Sequence, residues 1–127
     1  MLVRRAKINS GETVLVWGAS SGVGMTAIQI AKHFGCTVIT TAGTDAKVAF
    51  AKKLGADHVI HYKNEDVASV VKELTNGTGA DVIVEHVGEA TWKTSLKSLA
   101  KGGRLVTCGS TTGTDVSINL RHLFFKQ

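Results

Sequence analysis

Seven small residues, Gly18-Ala-Ser-Ser-Gly-Val-Gly24, stand between the apolar run Val14-Leu-Val-Trp17 and a stretch whose Val23, Ala27, Ile30, Ala31 and Phe34 recur at helical spacing. Small side chains let the backbone approach a ligand closely. The first amides of a helix have no partner inside it, so a strand, loop and helix in this order suit an anion such as a pyrophosphate. Counting back from Gly24, Ser21 and Ala19 occupy the other two glycine positions of a GxGxxG pattern. The weight therefore rests on the loop's placement between a strand and a helix. Gly24 is the residue expected to let helix and strand pack tightly. No Gly-Lys-Ser/Thr closes the loop, which argues against a P-loop and ATP hydrolysis.

The elements that position this loop alternate along the chain. Residues 13–17, 36–40, 58–61, 81–85 and 104–108 read as strands, nearly continuous in apolar or β-branched residues, as strands covered on both faces should be. Helical spacing is predicted over 23–34, over 46–54 with Val48, Ala49 and Phe50 apolar and Gly55 as the stop, and over 89–100 with Trp92, Leu96, Leu99 and Ala100 on one face. A further helix carries Val67, Val70, Val71 and Leu74, capped by Asn64 and ended by Gly77. Gly102-Gly103 reads as the turn into the fifth strand. This alternation predicts an α/β fold, a Rossmann-type doubly wound parallel sheet in one domain over 1–127. Beyond Cys108, a loop over 109–114, an extended piece over 116–118 and a short helix over 119–125 are expected. A sixth strand is expected to be cut away, and Leu120, Leu123, Phe124 and Phe125 to pack on something else.

Such a sheet binds a dinucleotide, and the end of its second strand decides which. An acid there would bind the ribose hydroxyls of NADH; this strand runs instead into Thr40-Thr41-Ala-Gly-Thr44, followed by Lys47. Small hydroxyl residues and a lysine suit a 2′-phosphate, so NADPH is expected ahead of NADH. Asp45 reads as a first-turn acid that complements the helix dipole.

The 127 residues carry a net charge of +5, but the basic residues do not cluster. Lys47, Lys52, Lys53, Lys72, Lys93, Lys97 and Lys101 fall on polar faces or helix ends, so no nucleic-acid partner is expected. No run approaches the ~18 apolar residues of a membrane span. The chain reads as cytoplasmic and without a membrane partner. Cys36 and Cys108 lack metal-ligand spacing and read as buried, reduced thiols, so no metal is expected. His33, His58, His61 and His122 read as structural or solvated. His86 differs, because it follows a strand at the carboxyl edge of the sheet, where its backbone is expected to line the cleft. No catalytic residue is assigned.

Several motifs in order resemble the cofactor domain of the medium-chain dehydrogenase/reductase superfamily, in its quinone oxidoreductase-like branch. They are the glycine loop, Ala27-Ile-Gln-Ile-Ala-Lys32, Gly43-Thr-Asp-Ala-Lys47, Lys53-Leu-Gly-Ala-Asp-His-Val-Ile-His-Tyr62, Gly79-Ala-Asp-Val-Ile-Val84 and Gly102-Gly-Arg-Leu-Val-Thr-Cys-Gly109. The resemblance implies that Ser20, Ser21, Gly22, Val23 and Gly24 hold the pyrophosphate, and that Gly43, Thr44, Lys47 and Tyr62 surround the 2′-phosphate. His86, Val87, Gly88, Cys108, Gly109 and Ser110 would lie along the nicotinamide ribose. It implies hydride transfer to a quinone, enone or carbonyl substrate, held against a barrel-like N-terminal domain that this sequence lacks, and a homodimer. A zinc-type alcohol dehydrogenase cofactor domain and a non-catalytic nucleotide-sensing domain are the alternatives. A short-chain dehydrogenase would need Tyr-x-x-x-Lys, whereas Tyr62 has Asp66 at that spacing.

Overall fold

The computed structural model describes residues 2–4, 6–19, 21–107, 115, 120 and 121. Strand and helix alternate through them: β1 (Thr13–Val16), α1 (Gly22–His33), β2 (Thr37–Ala42), α2 (Asp45–Lys53), β3 (His58–His61), α3 (Val67–Leu74), β4 (Ala80–Glu85), α4 (Trp92–Ser98) and β5 (Leu99–Thr107). All pairings are parallel, in the order β3-β2-β1-β4-β5. Strand order reverses between β1 and β4, and the crevice beyond their carboxyl ends is where doubly wound sheets take ligands.

Alternation along β1 sorts the core into two layers. Val14 and Val16 pack with Ala27, Ile28 and Ala31 of α1 and Ala51 of α2. Leu15 and Trp17 face the other way, onto Ile39, Ile60, Val67 and Val71. Val14, Leu15 and Val16 are wholly buried, as a strand covered on both faces requires. The seven lysines expected on solvated surfaces are all exposed. Cys36 is a buried free thiol that donates to the Asn9 carbonyl, and burial pushes its pKa up; Cys108 lies outside the described residues.

Several boundaries differ from expectation. The cap of α3 is Asp66, which accepts from Ser69 N, because Asn64 N instead closes a turn onto His61 O. At the other end of α3, Asn76 takes the left-handed position (φ 55°), with Gly77 N bonding Lys72 O at 2.7 Å and Asn76 N bonding Glu73 O. On α2 the buried residue is Ala51, while Ala49 and Phe50 are exposed. Val23 and Phe34 of the predicted α1 face are exposed as well. β2 continues to Ala42. Leu99 and Ala100 belong to β5 rather than α4, and Gly102-Gly103 sits inside the strand, in a bulge: Ala80 faces Leu99 while Val82 faces Arg104, so four residues on β5 oppose one on β4. Leu120 is exposed; Leu123, Phe124 and Phe125, most of the predicted 109–125 elements and any sixth strand lie outside the described residues.

The amino end of the sheet is tied by one arginine. Arg104 grips both carboxylate oxygens of Glu12 at 2.7 and 2.8 Å and donates to Ala6 O at 2.8 Å. The guanidinium holds the Glu12 carboxyl below its ordinary pKa, and Glu12 raises that of Arg104. Because the folded pKa of Glu12 is depressed, this stabilisation is full above the unfolded value of about 4.3 and is lost as pH falls through the folded value. Glu12→Gln is expected to lower stability near neutral pH by about 1 kcal/mol and to flatten the acid limb of the stability curve. Urea denaturation at about pH 7 and about pH 3 checks this; an acid limb as steep as wild type would remove the pair from the account.

Candidate functional site

The glycine loop is held by its neighbours. Gly18 N donates to Thr41 Oγ1 at 3.1 Å, and Ala19 N to Thr41 O at 3.3 Å. Gly18 adopts φ 69°, and a Cβ there would stand 3.3 Å from the His86 ring. At Gly24 a Cβ would lie 2.0 Å from Gly18 O, so only glycine lets α1 meet the loop this closely. The Ser21 hydroxyl accepts from Gly24 N at 2.9 Å and donates to Gly18 O at 3.0 Å, which makes it the helix cap. Gly22 N and Val23 N have no hydrogen-bond partner among the described residues, and α1 has no acid in its first turn. The result is an uncompensated positive helix end at the carboxyl edge of the sheet. Ser20 lies outside the described residues.

At the end of β2, Thr40 donates to Val16 O at 2.6 Å and Thr41 holds the loop, both buried. Their hydroxyls are thus committed inside the protein, contrary to the expectation of a hydroxyl cluster open to a phosphate; among Thr40, Thr41 and Thr44, only Thr44 is exposed. Thr44 caps α2 by accepting from Lys47 N at 3.2 Å, and Lys47 is exposed in the first turn. Gly43 and Tyr62 are brought together so closely that a Cβ on Gly43 would lie 2.5 Å from Tyr62 Oη. Asp45 is in the first turn of α2, fully exposed, with His61 Nε2 3.7 Å from its carboxylate.

A cavity of about 530 Å³ opens here, at the carboxyl ends of the strands. Trp17, Gly18, Thr41 and Tyr62 line it from the sheet side, Glu65, Asp66 and Val67 from the start of α3, Val87, Ala90 and Thr91 from the approach to α4, and Thr94 from its first turn. The hydroxyl and amide of Ser69 hold the Asp66 carboxyl below its ordinary pKa. Of the expected site residues, Tyr62 and Val87 line the cavity. Trp17 and Thr91 were missed, and Thr41 lines the cavity with its hydroxyl already bonded to Gly18 N.

Beneath this cavity Glu85 is wholly buried. Its Oε1 accepts from Val87 N at 2.9 Å, Gly88 N at 3.1 Å and Thr91 Oγ1 at 2.7 Å, and its Oε2 accepts from Ser95 Oγ at 2.6 Å. Ser95 Oγ in turn accepts from Trp17 Nε1 at 2.8 Å. One signal could have exposed this network: a buried tryptophan N–H needs an acceptor. The His86 ring also does more than its backbone. Its Nε2 is hydrogen-bonded to Trp17 O and stands 3.4 Å from Ser21 Oγ. A carbonyl only accepts, so Nε2 carries the hydrogen. Cys108, Gly109 and Ser110 lie outside the described residues. Among the described residues no group of three or more His, Cys, Asp and Glu side chains is arranged to hold a metal ion, so they offer no zinc site, and no helix is long and apolar enough to cross a membrane.

The model of the zinc-binding dehydrogenase family matches residues 22–127. The chain is 37% identical to 2-haloacrylate reductase of Burkholderia sp, over 89% of this chain and 34% of that protein. It superposes on the quinone oxidoreductase of Pseudomonas syringae pv. Tomato DC3000 with a TM-score of 0.90 at 41% identity, covering 98% of this chain and 39% of the other. The Escherichia coli quinone oxidoreductase complexed with NADPH gives 0.87 at 38% identity, with 98% and 39% covered. The chain therefore spans just over a third of the length of these relatives. With a parallel β3-β2-β1-β4-β5 sheet, a glycine loop packed on α1 and these relatives, the chain belongs to the zinc-binding dehydrogenase family, in the quinone oxidoreductase-like branch of the medium-chain dehydrogenase/reductase superfamily.

Proposed function

We propose that this chain is the dinucleotide-binding part of an NADPH-dependent oxidoreductase acting on a quinone, enone or other carbonyl-type small molecule. The observation that carries the reading is the close packing of Gly24 on Gly18 at the start of α1, where the Gly22 and Val23 amides have no partner among the described residues and Gly18 itself lines the cavity of about 530 Å³. Relatives named as quinone oxidoreductase and 2-haloacrylate reductase support the substrate class, and the NADPH complex of the former supports the cofactor. Gly22 and Val23 would donate to the pyrophosphate, with Ser20, Ser21 and Gly24 shaping the loop around it. Gly43, Thr44, Lys47 and Tyr62 would surround the 2′-phosphate. His86, Val87 and Gly88, with Cys108, Gly109 and Ser110, would line the nicotinamide side. Bound NADPH supplies the hydride; the residues here bind and orient it.

Substrate contacts fall to a separate N-terminal domain in this reading, which places the whole enzyme in the cytoplasm, as a homodimer. No step through zinc is assigned to these residues. Calorimetric titration of the chain with NADPH and with NADH in one low-salt buffer tests the reading. Tighter NADPH binding is expected, with no quinone turnover by the chain alone. Tighter NADH binding would move the ribose contact to Asp45, and binding of neither would overturn the proposal for this chain.

A further inference from the structure

We infer that Glu85 is a positioning residue for the cofactor cleft, setting through hydrogen bonds the wall that a bound dinucleotide meets; this rests on the dinucleotide reading above. The carboxylate is wholly buried, and its hydrogen-bond partners are two amides and two hydroxyls, with no cation among them. Burying a carboxylate carries a desolvation cost that its hydrogen bonds must offset, so its place here is set by the groups that it holds.

What the carboxylate holds is the cavity. Three lining residues from three places converge on it: Val87 through its amide, Thr91 through its hydroxyl, and Trp17 through Ser95. Trp17 also carries the carbonyl that anchors His86, whose ring covers Gly18. One buried group thus sets both the turn after β4 and the residue that precedes the glycine loop.

The helix that follows bears the consequence. Ser21, Thr44 and Asp66 each cap their helix with a side-chain bond, whereas Thr91, the N-cap of α4, makes none. Its hydroxyl is turned to Glu85 instead. Local rules of this kind are broken where function requires it.

The test compares Glu85→Gln and Ser95→Ala with Glu12→Gln, which weakens the opposite end of the sheet. Ser95→Ala removes one hydroxyl and severs Glu85 from Trp17, so it carries the test if Glu85→Gln fails to fold. Both cleft variants are expected to bind NADPH about tenfold more weakly and to speed hydrogen exchange at the Trp17 indole N–H, assigned by its loss in Trp17→Phe. Glu12→Gln should leave NADPH affinity and that exchange unchanged. Equal weakening in all three variants, or wild-type affinity in the cleft variants despite faster indole exchange, would overturn the positioning role alone. Wild type that fails to bind NADPH would overturn the dinucleotide reading and this inference with it.

Discussion

Gly24→Ala is expected to destabilise the chain by about 3 kcal/mol or more and to abolish NADPH binding. The added methyl would stand 2.0 Å from the Gly18 carbonyl oxygen and 3.0 Å from Ser21 Oγ. The nearest atom belongs to backbone, so no rotamer change relieves the clash. Helix α1 would have to lift from β1, opening the layer in which Ala27, Ile28 and Ala31 pack against Val14 and Val16. Gly22, two residues earlier in the same turn, is the control, because a Cβ there meets nothing within 4 Å. Gly22→Ala should hold or raise stability by about 0.5 kcal/mol, since it restricts the unfolded chain without a clash. Urea denaturation of the two variants decides the matter, and equal stabilities would remove the close approach from the account of the loop.

Lys47→Ala should weaken NADPH binding by about 10- to 100-fold, the worth of a charge-assisted hydrogen bond, while NADH affinity stays within about twofold. Lys47 is exposed in the first turn of α2, beside the Thr44 cap and the Gly43–Tyr62 contact. Asp45, the acid of the same turn, has His61 3.7 Å away and extends fully into solvent. If the lysine meets a 2′-phosphate, its loss is felt only by the cofactor that carries one. Parallel losses for NADPH and NADH in calorimetry would take Lys47 out of that site and reopen the ribose question in favour of Asp45.

Residues whose patterns are local to one strand or one loop were legible in the sequence. β3 was placed to the residue, and the glycine loop was located between β1 and α1. What escaped reading depends on contacts across the fold. On α2 Ala51 turns inward and Phe50 outward, a choice that the helix's own composition does not reveal. Thr40 and Thr41 read as ligand hydroxyls until Val16 O and Gly18 N are seen to occupy them. Gly102-Gly103 read as a turn because a bulge is visible only from its partner strand. Glu85 bonds within its own loop, but its reach to Ser95 and Trp17 depends on α4 and β1.

The grip of Arg104 on the opening residues also orders events in time. Its bond to Ala6 O joins positions 98 residues apart, so the segment ahead of β1 has no anchor of this kind until β5 has been laid down. A chain emerging amino end first must therefore complete β5 before this tie can close. Contacts of such long sequence separation are also slow to form, because loop closure precedes any reward. In a refolding experiment, protection of the Ile8 amide, which bonds Leu2 O within this segment, should accordingly arrive with the last strand and not with the first.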